Sequence, residues 1–407
     1  MRLHIPALLA AFLVSSTLIV TPLHAQHAAP ASSAQDDRDP DPPKLAAAEA
    51  KTVPFELFRG NRVAVSAKVN GHDVRAMLDS GASVTTLDRA YARSIGLPEG
   101  QKVDARGAGG IVEAEVVPNA TLEIGGMRYE NMTVAVMDLS FVAKQLGRPL
   151  PLVVGREFFN TAAIEFGWDK RELTITPASQ YMPPAGSTVM PLERRGPFNF
   201  VKLSVAGLPP IDALLDLGNG GNLKLPSDYW SKQPVLANLR YADSQGGGVG
   251  GYHSSRAVTF PAVEFAGKHF EHVPGTLGGD SQGNQPQYGS NLGIGFLKQF
   301  DLTLDLGRNR IVLAPLANPP AFDRDRAGVT ALPEGSALNV SFVSPQGPAA
   351  KAGLKTGDKI VAINGEKIGQ DFFATPLGNW YRGSSGSPIT LTLESGRTIH
   401  FALADYY

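Results

Sequence analysis

Two aspartates carry the strongest chemical signal in this sequence. Asp79 stands in Leu78-Asp79-Ser80-Gly81-Ala82, and Asp216, 137 residues later, stands in Leu215-Asp216-Leu217-Gly218-Asn219. Each follows a short apolar run ending in Ala-Met-Leu or Ala-Leu-Leu and precedes a glycine that gives the backbone freedom to turn. Two carboxyls facing each other across a cleft can share one proton, which places a general acid and a general base side by side. Such a dyad requires that the two motifs sit in similar halves that face each other.

The flanking sequence predicts such halves. Val63, Val65, Ala67 and Val69 alternate with other residues, Asn70-Gly71 is a strong hairpin signal, and the run Val74 to Leu78 leads into Asp79. In the second half Val201, Leu203 and Val205 alternate, Ala206-Gly207 turns the chain, and Ile211 to Leu215 leads into Asp216. Further on, Leu122-Glu123-Ile124-Gly125-Gly126-Met127 parallels Val263-Glu264-Phe265-Ala266-Gly267-Lys268. The stretch Gly155 to Pro177 aligns without a gap on Gly293 to Pro315, matching Phe158 with Phe296, Ile164 with Leu302, Phe166 with Leu304, Leu173 with Ile311 and Ile175 with Leu313. Short strands separated by Gly and Pro turns predict a mainly β chain with two homologous lobes.

These motifs resemble the bacterial aspartyl protease family related to pepsins and retropepsins. The string of two apolar residues, Asp79, Ser80, Gly81 and Ala82, followed by Val153-Val154-Gly155-Arg156-Glu157-Phe158, carries the resemblance, which spans roughly residues 52–319. It implies two pepsin-like β lobes with a cleft between them, Asp79 and Asp216 as the catalytic pair, and hydrolysis of peptide bonds by a water activated between them. Two close carboxylates cannot both ionise cheaply, as such dyads illustrate, so one keeps a proton, and the proton belongs to the pair. The resemblance also implies that Ser80 joins the two catalytic loops through its hydroxyl, that Gly81 and Gly218 permit their turns, and that Val154-Gly155 and Leu292-Gly293 pack against them. Leu217 stands where the family has Thr or Ser, so the interlocking hydrogen bonds cannot be symmetric; Asn219 and Asn222 are the candidate replacement donors. A non-catalytic bilobal peptide-binding scaffold with a degenerate second motif is the alternative, as is a pairing of first lobes from two chains.

Each lobe has a glycine-rich segment where a flap over the cleft would lie, with Gly109 and Gly110 in one and Gly248 and Gly250 in the other. Ordinary flexible loops are the alternative. Gly246 to Gly251 formally fits G-x-G-x-x-G, yet Tyr252-His253-Ser254-Ser255 follows instead of a helix, so no dinucleotide site is expected. His269 and His272 lack a third ligand in evident range and read as surface residues, so no metal or other cofactor is expected. Gly383-Ser384-Ser385-Gly386-Ser387 lacks the strand-to-helix context of a nucleophile elbow and reads as a loop.

After Pro319-Pro320 a third, small domain begins. Pro348-Ala349-Ala350-Lys351-Ala352-Gly353-Leu354 and Gly357-Asp358-Lys359-Ile360-Val361-Ala362-Ile363-Asn364-Gly365 resemble a PDZ domain of the kind appended to bacterial periplasmic proteases. That resemblance implies binding of an extended peptide, often a C-terminus, as an added strand. A glycine-hydrophobic carboxylate-binding loop is missing before Ser341, where Glu334-Gly335-Ser336-Ala337-Leu338 stands.

Composition bounds the rest. The 407 residues predict two or three domains at about 100–200 residues each. With 37 basic and 38 acidic residues the net charge is -1, so nothing points to nucleic acid or an anionic membrane surface. No cysteine is present, which excludes disulfides, thiolate metal sites and a cysteine nucleophile. Arg2, the apolar run Ile5 to Val20 and Leu23-His24-Ala25 read as an export signal, which predicts a periplasmic or secreted protein with no integral membrane segment after cleavage; a single-pass anchor is the alternative. The expected organisation is a signal peptide at 1–25, a disordered linker at 26–52, protease lobes at 53–183 and 184–320, and a PDZ domain at 325–404. Expected partners are peptide or protein substrates and a peptide ligand of the PDZ domain.

Overall fold

The computed structural model describes residues 43–279, 289–369 and 371–407. The expected signal peptide and the linker up to residue 42 lie outside the described residues. Among those described, no helix is long and apolar enough to cross a membrane.

The duplication read in the sequence extends to strand pairing. In the first half, strands Arg62–Val69, His72–Leu78, Leu152–Val154, Thr86–Asp88, Met127–Met137 and Gly110–Ile124 pair in that order, and the last pairs back with the first. In the second, Phe198–Val205, Ile211–Asp216, Ser290–Gly293, Leu223–Leu225, Lys268–Gly278 and Gly251–Phe265 close the same ring. Even the sense of each pairing is repeated, including the parallel pairs His72–Leu78 with Leu152–Val154 and Ile211–Asp216 with Ser290–Gly293. A sheet closed on itself leaves few free edges, and its alternating residues fill the interior. Val63, Val65, Ala67 and Val69 do so in one lobe, and Val201, Leu203 and Val205 in the other. Turns match as well: Asn70-Gly71 and Ala206-Gly207 all have positive φ, and the left-handed kinks at Asn131 and His272 fall at corresponding places in their strands.

A third sheet ties the halves together. Strands Ala162–Gly167 and Phe300–Asp305 are equivalent by sequence, and they pair antiparallel with each other, Glu165 opposite Thr303 and Ile164 opposite Leu304. Two equivalent strands pairing about equivalent residues define a local two-fold axis between the lobes. In the second half, Phe265 lies fully buried between Phe296 and Phe300, with ring centroids 5.7 and 5.6 Å away.

One expectation needs correction. The disordered linker, placed at 26–52, gives way to structure by Lys44: Lys44–Ala48 pairs with the strand at Met127–Met137, and Lys51–Pro54 pairs with Glu172–Pro177. The segment is almost wholly exposed. An outer strand needs only backbone donors and acceptors, so it carries no apolar periodicity to be read.

The C-terminal domain has strands Val329–Glu334, Ala337–Val343, Lys359–Ile363, Pro388–Leu393 and Thr398–Ala402 in sheet order, with Glu366–Lys367 paired to Lys359–Ile363. A short helix, Pro348–Lys351, and two 3-10 segments, Phe372–Ala374 and Pro376–Arg382, complete it. It is docked on both lobes: on the second, Gln346 Nε2 donates to Asp243 Oδ2 at 3.2 Å and Thr259 Oγ1 donates to Tyr407 O at 3.3 Å. The Arg59 guanidinium sits 4.2 Å from the Phe373 ring centroid and donates to Gln145 O at 2.9 Å and Tyr381 Oη at 3.2 Å, while Arg382 donates to Arg59 O at 2.9 Å.

Phe265→Ala would leave a cavity bounded by aromatic rings, and a loss of about 3–5 kcal/mol is expected in denaturant unfolding. A loss below about 1 kcal/mol would mean that the ring contacts contribute little.

Candidate active site

The two closed sheets bring Asp79 and Asp216 together. Each aspartate is delivered by a strand paired in parallel with one that ends in an apolar-Gly dipeptide. Asp79 N donates to Val154 O at 3.0 Å. A Cβ on Gly155 would lie 2.6 Å from Val84 C, and one on Gly293 would lie 2.3 Å from Gly221 O, so both glycines are required by close backbone approach.

Gly81 and Gly218 act by clearance. Neither has positive φ, so the expectation that they serve the turn by special backbone angles is corrected. A Cβ on Gly81 would lie 2.7 Å from the Asp216 carboxyl, and one on Gly218 would lie 2.3 Å from that of Asp79. Each glycine therefore makes room for the aspartate of the opposite lobe.

Ser80 joins the loops. Its hydroxyl donates to Leu215 O at 2.8 Å and accepts from Leu217 N at 3.0 Å, so one buried side chain satisfies two backbone groups of the other lobe. Leu217 returns no such bond; its side chain is fully buried in the core. Asymmetry continues at the carboxyls. Asp79 Oδ1 accepts from Gly81 N at 2.9 Å, whereas Asp216 Oδ1 accepts from Asn219 N at 3.0 Å and its Oδ2 from Asn291 Nδ2 at 2.6 Å. Asn219 Nδ2 in turn donates to Asn291 Oδ1 at 2.6 Å. Of the two candidate donors, Asn219 thus reaches Asp216 through its backbone and through Asn291. Asn222 points elsewhere, to Pro274 O at 2.9 Å and Asp323 O at 3.3 Å.

Burial, followed by the charge of Asp216 and a hydrogen bond to its carboxyl, pushes the Asp79 pKa up to about 8, against the pull of Gly81 N–H and Arg62. A proton is therefore retained between the carboxyls near neutral pH. Arg62 was not singled out by its position in the sequence. Its Nη1 occupies the space a Gly220 Cβ would take, and Asn61 Nδ2 holds Gly220 O at 3.1 Å. Burial lowers the Arg62 pKa to about 10, while Asp216 and Asp79 pull it upward, so it stays charged.

Asn291 is not singled out by the sequence, and Glu157 stands in the quoted motif string without an assigned role. The one available signal for Asn291 is that it stands opposite Val153 in the aligned repeats, a polar residue in an apolar run. Glu157 is buried and accepts from Thr85 N at 3.0 Å and Thr85 Oγ1 at 2.9 Å, and Thr85 Oγ1 accepts from Gly155 N at 3.1 Å. This chain of bonds fixes the loop behind Asp79, and burial raises the Glu157 pKa.

The glycine-rich segments are hairpin tips. Gln101–Gly107 turns into Gly110–Ile124, and Tyr241–Gly248 turns into Gly251–Phe265. The tips meet: Gly109 N donates to Val249 O at 2.8 Å, and a Cβ on Gly109 would lie 2.3 Å from Gly251 O. Gly110, Gly250 and Gly251 have positive φ. His269 lies far from this chemistry in role, exposed and paired with Glu264 and, at 3.6 Å, with Glu271.

Ser80→Ala would strand Leu217 N–H and Leu215 C=O in a buried interface. The expected cost is about 1–3 kcal/mol per group left unsatisfied, read by chemical denaturation. An unchanged midpoint would remove Ser80 as the link between the loops.

Residues 65–158 match the family model described as aspartyl protease, and residues 340–394 match that of the PDZ domain. No curated protein matches the chain. The first match contains Asp79, Ser80, Gly81 and Val154-Gly155 but ends before Asp216; the second lobe is tied to it by the repeated strand pairing. The chain thus carries an aspartyl protease-like first lobe and a C-terminal PDZ domain.

Proposed function

We propose that this protein is an exported aspartic endopeptidase, acting in the periplasm or outside the cell, with Asp79 and Asp216 as its dyad. The observation that carries the reading is the contact of two carboxyls, one from each lobe, across glycines that leave room for nothing larger. In the singly protonated pair, the ionised carboxylate takes a proton from a water as its oxygen attacks the scissile carbonyl carbon. The protonated carboxyl gives its proton to the carbonyl oxygen, forming a tetrahedral diol. Collapse of the diol breaks the C–N bond, the amine nitrogen takes a proton, and the new carboxyl leaves. Asn291, donating to Asp216 Oδ2, fixes the orientation of that carboxyl within the pair. The two glycine-tipped hairpins act as the cover that keeps bulk water from the bound peptide.

The PDZ domain recruits or positions the substrate. Val329–Glu334 is an outer strand of its sheet, the kind of edge to which an extended peptide adds. Docking of this domain against the Arg59–Arg62 turn brings such a peptide to the same body as the dyad.

Asp79→Asn and Asp216→Asn are each expected to lower kcat on a peptide mixture by about 10²–10⁴-fold with the fold intact by circular dichroism. Turnover equal to the parent chain in both variants would end the assignment, and a chain that binds peptides without cleaving them at any pH would be a scaffold instead.

Stability offers an independent check. Folding raises the Asp79 pKa, so the folded chain holds that proton more tightly than the unfolded one; the stability involved is present below about pH 4 and is lost as pH rises through about 8. Asp79→Asn removes the titration. The variant is expected to gain stability relative to the parent chain between pH 4 and pH 8, by on the order of a few kcal/mol in urea unfolding. A constant difference across that range would contradict the shared proton.

A further inference from the structure

The two lobes repeat each other closely enough that corresponding positions around the dyad can be compared one by one, and three of them differ in the same way. Thr86 pairs with Val153 in the first lobe, and Lys224 pairs with Asn291 in the second, at the same place in the ring of strands. Opposite Val112, Ala105 lies on the first hairpin; on the second, His253 lies opposite Gly246, at the same distance from the tip. So Thr86, Val153 and Val112 of one lobe become Lys224, Asn291 and His253 of the other. In the first lobe Val153 and Val112 belong to one apolar cluster, with Val84, Val103 and Ala105 beside them. The second lobe replaces this by a cation, an amide and an imidazole.

The placement of Lys224 is fixed by its partner. Side chains of directly paired residues project from the same face of a sheet, and Asn291 reaches Asp216 Oδ2 from that face. Lys224 is half-buried there, and among the described residues it forms no ion pair closer than its attraction to Asp216. His253 fills the space beside Gly246, its Nδ1 is buried without a hydrogen-bond partner, and burial, with the Lys224 charge adding to it, keeps the ring neutral. A neutral imidazole can still donate one N–H.

Charge completes the argument. A dyad that holds one proton carries a single negative charge, and two cations, Arg62 and Lys224, bear on it. On the second-lobe side, Asp216 is the one carboxyl that attracts the Lys224 ammonium. Burying a cation without a full partner is costly, and the deficit is relieved by an anionic group from the ligand.

We infer that Lys224 and His253 form an acidic-side-chain subsite, so that this chain selects peptides with Glu or Asp on one side of the scissile bond and an apolar residue on the other. The carboxylate of the ligand accepts from Lys224 Nζ and from the His253 ring N–H, while the apolar cluster around Val84 and Val112 takes the neighbouring residue. The inference rests on the reading of the cleft as a peptide-binding site, and its test separates binding from cleavage.

The experiment uses the full chain carrying Asp79→Asn, so that no probe is consumed, and short fluorescent peptides with a central Leu-Glu, Glu-Leu, Leu-Gln, Gln-Leu, Leu-Lys or Lys-Leu pair. One glutamate peptide is expected to bind about tenfold more tightly than its glutamine and lysine counterparts. Adding Lys224→Met should abolish that preference, and Lys224→Glu should reverse it toward lysine, a gain that misfolding cannot produce. Equal affinity for the three chemistries, a preference that survives Lys224→Glu, or no binding of any peptide would overturn the subsite. The parent chain is then given the same peptides: if it binds glutamate selectively and cuts nothing, the subsite stands and the proposed hydrolysis falls.

Discussion

Everything around the cleft follows from pressing two carboxyls of like charge against each other in a partly buried space. The arrangement is unfavourable unless a proton is shared, and it relaxes at once if either lobe withdraws. Three features oppose that withdrawal. Glycines at 81 and 218 take no space between the carboxyls, Ser80 bonds two backbone groups of the opposite loop, and the strands centred on Glu165 and Thr303 hold the lobes in one sheet. The distant sheet fixes the overall approach, and the loop contacts fix the last ångström.

The second lobe meets the same demand with different parts. Leu217 gives its side chain to the core, so the reciprocal hydroxyl is gone, and Asn219 with Asn291 orient Asp216 through side-chain amides. An amide N–H is a donor and a carboxyl oxygen accepts from it, so Asn291 supplies the contact that a hydroxyl would otherwise make. Loss of one residue of a motif is therefore compatible with retained geometry, because the requirement lies in the hydrogen bonds and more than one residue type can supply them.

Much of this is legible in the sequence. The repeats at Asn70-Gly71 and Ala206-Gly207, and the gapless match of Gly155 to Pro177 with Gly293 to Pro315, mark local turns and alternating strands, which depend on near neighbours in the chain. Asp79 and Asp216 were evident because their flanks repeat. Hidden were the features that depend on meeting across the fold: Arg62 against Gly220, Asn291 against Asp216, and the meeting of the hairpin tips at Gly109 and Val249. The exposed strands at 44–54 were hidden for another reason, since backbone pairing alone leaves no mark on side-chain pattern. Gly81 and Gly218 were recognised with the wrong cause, because a glycine in a sequence does not say whether the missing Cβ relieves a torsion or a contact.

The antiparallel pairing of Ala162–Gly167 with Phe300–Asp305 joins two halves encoded in a single chain. In a dimer built from one such half, every substitution near the axis would be made twice, and a lysine placed on one side of the cleft would face a second lysine on the other. Covalent linkage removes that obligation. Each half can then be varied alone, so that one wall can bind charge while its mirror stays greasy, and a ligand lying across the axis acquires a direction that a symmetric receptor has no means to impose.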